Sequence, residues 1–312
     1  MMLKNTLKLS FTNFKQVWKM LLFRICYLLC VLGLTTVFAS NIIEALIKEN
    51  FFVNLKQSFK ELAFNLDFSR MFGAINSLTA QLVDVIKNGG FVAQAILCGI
   101  FAVFFCAFFE AHGRMALHTS INGYMNSMVQ YGFANSFVSN FGKATQYALA
   151  NMVTELPITL AILVGTYFFA SGLYSKLGMF SVVIACILLI TFLSLEKALF
   201  CGWLPALVIN GEGIFRSLAK SAKSTAKYFG KTFLAFAILV CFGVMCSLFS
   251  VTFTLGIGLV IVLPAWAVID AIFGQVCYYE CYGMRYYVDS DEIISPKRLE
   301  QQDKFAKVKD II

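Results

Sequence analysis

The stretch between Lys231 and Asp270 contains no Asp, Glu, Lys or Arg, and it constrains this chain more than any other feature. As one helix its 38 residues would be about 57 Å long, nearly twice the hydrocarbon thickness of a bilayer, about 30 Å. The stretch therefore predicts two helices that cross a membrane, joined by a turn near Gly256 and Gly258.

Long apolar segments recur along the rest of the chain. Apolar residues make up 59% of the sequence and charged residues 13%, against roughly 45–50% and 25% in soluble domains. We therefore expect an all-α polytopic membrane protein, a single membrane domain over residues 1–312. Its six transmembrane helices are expected as three hairpins, each preceded by a cytoplasmic interfacial helix. The predicted spans are Met20–Ala39, Phe91–Phe109, Ala148–Gly172, Leu177–Leu195, Thr232–Phe253 and Leu259–Gly283.

Lysine and arginine are distributed unevenly between the predicted spans. Four precede the first span, and the later segments contain 5, 2, 1, 6, 0 and 6 in chain order. Because cytoplasmic loops carry an excess of these residues, both termini are expected on the inner side of a bacterial-type cytoplasmic membrane. Arg24 and the length of the first apolar run favour an uncleaved helix over a signal peptide that ends at Ala39.

Basic residues at helical spacing precede two of the spans. Arg216, Lys220, Lys223, Lys227 and Lys231 fall on one helix face, which we expect to contact lipid phosphates. Adding 212 places four N-terminal lysines on four of these positions, which indicates an internal repeat: Lys4, Lys8, Lys15 and Lys19. The alternative is that the positive-inside rule alone makes every such segment basic.

Two segments carry the sequence's resemblance to known proteins: LAKSAKSTAKYFGKTF (Leu218–Phe233) before a span and VCYYECYGMRYY (Val276–Tyr287) at the last exit. With the order of basic helix and hairpin, they resemble a superfamily of bacterial six-span membrane domains of largely unknown role. These domains occur alone or ahead of glycerophosphodiester phosphodiesterase domains. The resemblance implies the six-span fold and supplies no catalytic residues. The first external segment is longer than in that superfamily, and 312 residues leave no room for a hydrolase barrel.

Two further segments outside the predicted spans have a pattern of their own. Residues 41–90 form an external amphipathic insertion with two stretches of helical periodicity, residues 43–62 and 68–86. The insertion is either a lid over the outer mouth of the bundle or a packing accessory. Residues 289–312 have mixed charge and are expected to form a cytoplasmic tail, either a short helix or disordered.

Three carboxylates fall inside predicted spans. Glu280 lies at the interfacial exit of the last span, and the other two are functional candidates by default, because an ionisable residue at membrane depth is costly. Glu155 lies two residues before Pro157, which permits a local kink. Asp270 lies in the middle of the last span. A proton- or cation-coupled transporter would need both to face a common cavity. The structural alternatives are that Glu155 reaches the interface and that Asp270 hydrogen-bonds across a helix pair.

The sequence lacks the common catalytic and metal-binding motifs. His112 and His118 are six residues apart and do not share a helix face, and the ten cysteines lack metal-ligand spacing. We therefore expect no enzyme activity, no metal and no cofactor. The net charge is +8, but the basic residues flank apolar runs and do not form a surface with aromatic residues. This argues against nucleic acid as a partner.

Transport or handling of a lipid-like or amphipathic small molecule is the function that the basic helices and the apolar insertion favour. The alternative is a non-transporting scaffold subunit that recruits another protein through its basic helices. The expected partners are membrane lipids and, in the second case, a different protein or another copy of this chain.

Overall fold

The computed structural model describes residues 2–64, 68–129, 131–254, 256–289 and 292–295. This part of the chain is almost entirely helical. Its elements are α1 (Met2–Thr12), α2 (Lys15–Phe38), α3 (Ser40–Lys48), α4 (Phe51–Phe64), α5 (Phe68–Asn88), α6 (Val92–Ser127), α7 (Phe133–Ser139), α8 (Phe141–Val153), α9 (Glu155–Leu177), α10 (Met179–Phe200), α11 (Trp203–Asn210), α12 (Ile214–Thr254), α13 (Leu259–Tyr282), β1 (Tyr286–Asp289) and β2 (Glu292–Ile294).

Six segments of the described chain are long and apolar enough to cross a membrane: Lys15–Phe38, Val92–Ser127, Phe141–Tyr174, Phe180–Asn210, Phe229–Val251 and Leu259–Tyr282. Each overlaps one predicted span, so the prediction of an all-α polytopic membrane protein is confirmed. Large apolar side chains such as Leu29, Phe168 and Phe242 are exposed on these helices. In a bilayer such side chains face lipid, which is as apolar as they are.

Two of the spans are interrupted near a proline. The break between α8 and α9 falls at Thr154, because Pro157 has no N–H to donate to the carbonyl four residues earlier. Pro205 has the same effect where α10 gives way to α11. The kink predicted from Pro157 is therefore present. It makes Glu155 the first residue of α9, where the helix dipole favours a negative charge.

The bundle has one closed end, where α1, the second half of α6, α13 and β1 share a core. Leu9, Ile121, Ile272 and Val288 are fully buried in this core. This end lies beyond the lipid-exposed half of α6, because buried residues dominate that helix only from Ala111 onwards.

Two polar contacts fix the relative direction of α6 and α13 at the closed end. Gln275 lies 3.2 Å from His118 Nδ1, and the Tyr279 hydroxyl donates to Asn122 at 2.8 Å. Both contacts join residues 157 positions apart. The two helices therefore run parallel, as the second and the sixth span of an alternating topology must.

The described ends of the chain meet at the closed end. Asn5 donates to the Tyr286 hydroxyl at 2.8 Å, and Lys8 forms an ion pair of 2.5 Å with Glu292. The prediction of a helical or disordered tail is wrong for its first residues, because β1 and β2 pair as antiparallel strands. Aromatic and β-branched residues, such as Tyr287 and Ile293, favour this strand pair. Residues 296–312 of the predicted tail lie outside the described residues.

The insertion of residues 41–90 is helical where it is described, as its periodicity predicts. Its first stretch is divided into α3 and α4, because Asn50 adopts a left-handed backbone conformation with φ +55°. Ile42, Leu46 and Val85 form the centre of a small apolar cluster that joins α3 to α5. The contacts of the insertion with the spans run to α2 and α6.

The basic segment before the fifth span differs from the predicted separate interfacial helix. It is the first part of α12, a continuous helix of 41 residues, about 62 Å long and therefore longer than the membrane is thick. Ser217 and Ser221 of this segment are fully buried, and Ser221 packs against Gly202. The packing of α12 against α10 and α11 holds the segment as an extension of the span.

Candidate functional site

A groove opens between the spans away from the closed end. It lies between α2, α6 and α13, and Leu156 of α9 and Lys197 of α10 complete its lining. The groove has a volume of about 730 Å³. Its walls are mainly apolar, with Leu28, Val103, Leu156, Leu259, Val260, Leu263, Pro264 and Trp266 among the lining residues. Leu28, Val103 and Leu263 line the groove and are exposed, so the groove is open and not an enclosed cavity.

A continuous line of six ionisable side chains, which we name the charge chain, runs along the floor of the groove, and five of them line the groove itself. They come from five helices: α2, α6, α9, α10 and α13. In spatial order they are Arg24, Glu110, Arg114, Glu155, Lys197 and Asp270.

Glu110 is the centre of the first half of the charge chain. Arg24 donates to it through Nε at 3.0 Å and through a second, terminal nitrogen. The Tyr27 hydroxyl donates to the same carboxylate at 3.0 Å. Arg114, one helical turn further along α6, places its Nε 3.8 Å from Glu110 Oε1. The first and second spans are thereby tied together by one carboxylate.

Glu155 and Asp270 form the second half. Arg114 Nη1 donates to Glu155 Oε1 at 3.3 Å. Lys197 Nζ lies 3.9 Å from the same oxygen and donates to Asp270 Oδ2 at 2.9 Å. Both carboxylates therefore share Lys197, and Glu155 is also shared between Lys197 and Arg114.

The charge chain is electrically balanced, with three cations and three carboxylates. A single ion at the centre of a membrane helix costs about 2.5–3.5 kcal/mol on insertion scales. Pairing offsets this desolvation only while both partners are present, so the loss of one member leaves a buried, uncompensated charge. The six side chains therefore form a coupled unit.

A second, smaller cavity of about 40 Å³ lies on the other side of the charge chain. This is room for about three water molecules. Glu155, His118 and Gly274 line this cavity, and Arg114, Lys197 and Asp270 line both the cavity and the groove. Arg114, Lys197 and Asp270 thus form the boundary between the open, mainly apolar groove and the small cavity.

The structure brings the two predicted carboxylates together, as a shared site requires. Glu155 and Asp270 line the same small cavity and contact the same lysine. Asp270 accepts a hydrogen bond across a helix pair, from Lys197 on α10, as its structural alternative expects, and the choice between the two interpretations stays open. Glu155 is only 7% exposed and is paired inside the bundle.

Sequence reasoning missed four members of the charge chain. Arg24 lies near the start of the first predicted span, and Lys197 lies just beyond the end of the fourth. Glu110 and Arg114, whose Oε1 and Nε atoms are 3.8 Å apart, lie just beyond the end of the second. Because α6 continues to Ser127, this pair lies in the middle of a helix. The sequence does contain a signal for these pairs. Each carboxylate near or inside an apolar run can be matched with a lysine or arginine that lies at a similar depth in the membrane on another span.

The basic residues predicted to contact lipid phosphates are not all available to do so. Lys8 is paired with Glu292, and Lys220 is paired with Glu212 at 2.9 Å. Lys19 is half-buried, and the side chain of Lys227 lies outside the described residues. Among the described residues of this set, five exposed side chains lie outside these two ion pairs: Lys4, Lys15, Arg216, Lys223 and Lys231.

Comparison with known proteins adds no relative to this picture. Neither protein-family models, nor curated proteins, nor solved structures match the chain. The resemblance to six-span bacterial membrane domains therefore stays a prediction, and the function is inferred from the geometry of the groove.

Proposed function

We propose that this protein binds and handles a lipid-like or amphipathic small molecule in the groove, as part of its transport. The observation that supports this is the division of the groove into apolar walls and a charged floor. An acyl chain would lie between α2, α6 and α13, where it replaces contacts with lipid. A polar headgroup would reach the charge chain, where charged donors and acceptors are already in place.

The shape of the groove favours an amphiphile over a small polar solute. Its volume of about 730 Å³ falls in the range of ligand sites, roughly 300–1,000 Å³. The charged lining residues all belong to the charge chain and the walls are mainly apolar, so a small polar solute would leave most of the wall without a partner. The side opening lets a membrane-dissolved molecule enter without crossing water.

A substitution that fills the groove tests this function. Ala107 lines the groove on α6, whereas Ala161 is exposed on α9 and is not among the groove-lining residues. Ala107→Trp should abolish retention of a bound amphiphile, measured by mass spectrometry after purification in mild detergent. Ala161→Trp adds the same side chain to the outer surface and should retain it. Equal retention by both variants, with unchanged thermal stability, would refute the proposal.

A scaffold function is the second candidate, because basic side chains stay exposed along α12. Arg216, Lys223 and Lys231 are free to face a second protein or lipid phosphates. A protein that co-purifies in stoichiometric amount, and is lost when these three residues are changed to Gln, would favour the scaffold. Retention of an amphiphile that survives the same changes would favour the groove.

We also propose that the closed end of the bundle faces the cytoplasm of a cell whose cytoplasmic membrane holds the protein. The support is the excess of lysine and arginine in the segments at this end. In this orientation the charge chain lies in the inner half of the membrane, and the insertion of residues 41–90 lies outside.

A further inference from the structure

The part of the charge chain that faces the groove is not balanced. Arg24 and Glu110 both line the groove, as do Lys197 and Asp270. Arg114 also lines it, whereas its nearer partner Glu155 lines only the small cavity behind. Three cations and two carboxylates therefore line the groove. The surface that a ligand meets carries one positive charge in excess, although Glu155 balances the charge chain as a whole from behind.

Arg114 is the member of the charge chain most open to a ligand. Its side chain is 30% exposed, whereas the other five are 10–22% exposed. Its ion pairs use Nε and Nη1. A guanidinium has five N–H donors in a planar fork that fits two oxygens of a phosphate, so donor capacity remains.

We propose, on the basis of the function proposed above, that Arg114 binds the phosphate of a phospholipid with one net negative charge. The single charge matches the single excess on the floor. A zwitterionic phospholipid has the same phosphate but brings an additional cation towards a positive floor. Bilayer phospholipid is also the amphiphile at the highest concentration around an open groove, and occupancy follows concentration.

Lipid selectivity in nanodiscs tests the proposal. The full-length protein is reconstituted with equal amounts of phosphatidylglycerol and phosphatidylcholine, extracted in mild detergent, and analysed for retained lipid by mass spectrometry. We expect phosphatidylglycerol to be enriched by at least about fivefold, because both phosphates can make the same contact with Arg114 but only the choline cation is repelled by the positive floor.

Two variants of the Arg114–Glu155 pair should change this enrichment in opposite directions. Arg114→Gln combined with Glu155→Gln removes the excess cation but keeps the charge chain balanced, so the enrichment should fall to about one. Glu155→Gln alone removes the carboxylate that competes with the ligand for Arg114, so the enrichment should rise. Lys8→Gln combined with Glu292→Gln removes a pair far from the groove and serves as the matched control, with unchanged enrichment.

Each other outcome overturns the assignment. Retention of both lipids without preference by the wild-type protein would exclude a monoanionic headgroup and leave the groove function standing. Retention of no amphiphile would contradict both. Displacement of phosphatidylglycerol by equimolar palmitate would show a carboxylate ligand instead. If the double variant does not fold, Glu155→Gln decides, because unimproved enrichment would exclude Arg114 as the headgroup residue.

Discussion

At the scale of single residues, Glu110 holds together two spans through three partners. Arg24 and Tyr27 of α2 donate to it, and Arg114 lies one turn away on its own helix. Glu110→Gln should lower the free energy of unfolding by about 3 kcal/mol, because Arg24 loses its carboxylate and Arg114 keeps only Glu155. Thermal denaturation of the purified protein would measure this loss.

A double-mutant cycle serves as the control for Glu110. Combining Arg24→Gln with Glu110→Gln removes a cation together with its carboxylate, so part of the stability should return. A double variant as unstable as the sum of the two single variants would show that this ion pair is not coupled.

Gly274 marks a close approach between α13 and the end of α10. A Cβ atom at this position would lie 3.0 Å from the Cys201 carbonyl oxygen, whereas one at Gly165 would meet nothing within 4 Å. Gly274→Ala should therefore destabilise the protein by about 1–2 kcal/mol. Gly165→Ala, the matched change in α9, should be neutral or stabilise by up to about 1 kcal/mol. Equal melting temperatures for the two variants would contradict this packing.

The sequence located Glu155 and Asp270 because a carboxylate inside an apolar run is conspicuous. It could not predict that both contact Lys197, because this depends on how three separate helices are rotated about their axes. A pattern within one helix shows which residues share a face, and only the packing shows which faces meet.

At the scale of elements, the insertion of residues 41–90 starts and ends at neighbouring points. Gln94 Nε2 donates to the Phe38 carbonyl at 2.5 Å, so a short linker can replace residues 42–88. The insertion contacts α2 and α6, but the described residues that line the groove belong to the spans and not to the insertion. We therefore expect the deletion variant to insert and to retain amphiphile. Loss of retention with normal insertion, measured by mass spectrometry, would support the lid instead.

The N-terminal helix α1 is fastened to the chain's other end through Tyr286. Its hydroxyl accepts from Asn5 and donates to Glu280 at 2.9 Å, and burial raises the pKa of Tyr286 so that it stays protonated. Tyr286→Phe should increase hydrogen exchange in residues 2–12 about tenfold, since a hydrogen bond to a charged group contributes roughly 1.5 kcal/mol. Tyr287→Phe, on the other face of β1, is the control. Equal exchange in both variants would show that the Tyr286 hydroxyl does not stabilise α1.

The spans could be predicted as elements because uncharged runs of this length have no other stable environment. Their ends could not, since the second half of α6 is buried by protein and its polar residues, such as His118 and Asn122, interrupt the apolar pattern. The strands β1 and β2 are only four and three residues long, too short for alternation to be distinguished from helical spacing.

At the scale of the whole molecule, the orientation can be tested with two exposed lysines. Lys56 lies in the insertion, and Lys223 lies in the basic part of α12. In a chain whose ten native cysteines are replaced, Lys56→Cys should react with an impermeant maleimide added to intact cells. Lys223→Cys should react only after permeabilisation. The reverse pattern would invert the proposed topology.

Central to the proposed function is a laterally open groove between the spans that holds an amphiphile with its head on the charge chain. The most direct test is an experimental structure of the wild-type protein in lipid nanodiscs. We predict elongated density between α2, α6 and α13 that ends beside Arg114. A groove closed by direct contact of α2 with α9, or an open groove without density, would contradict this proposal.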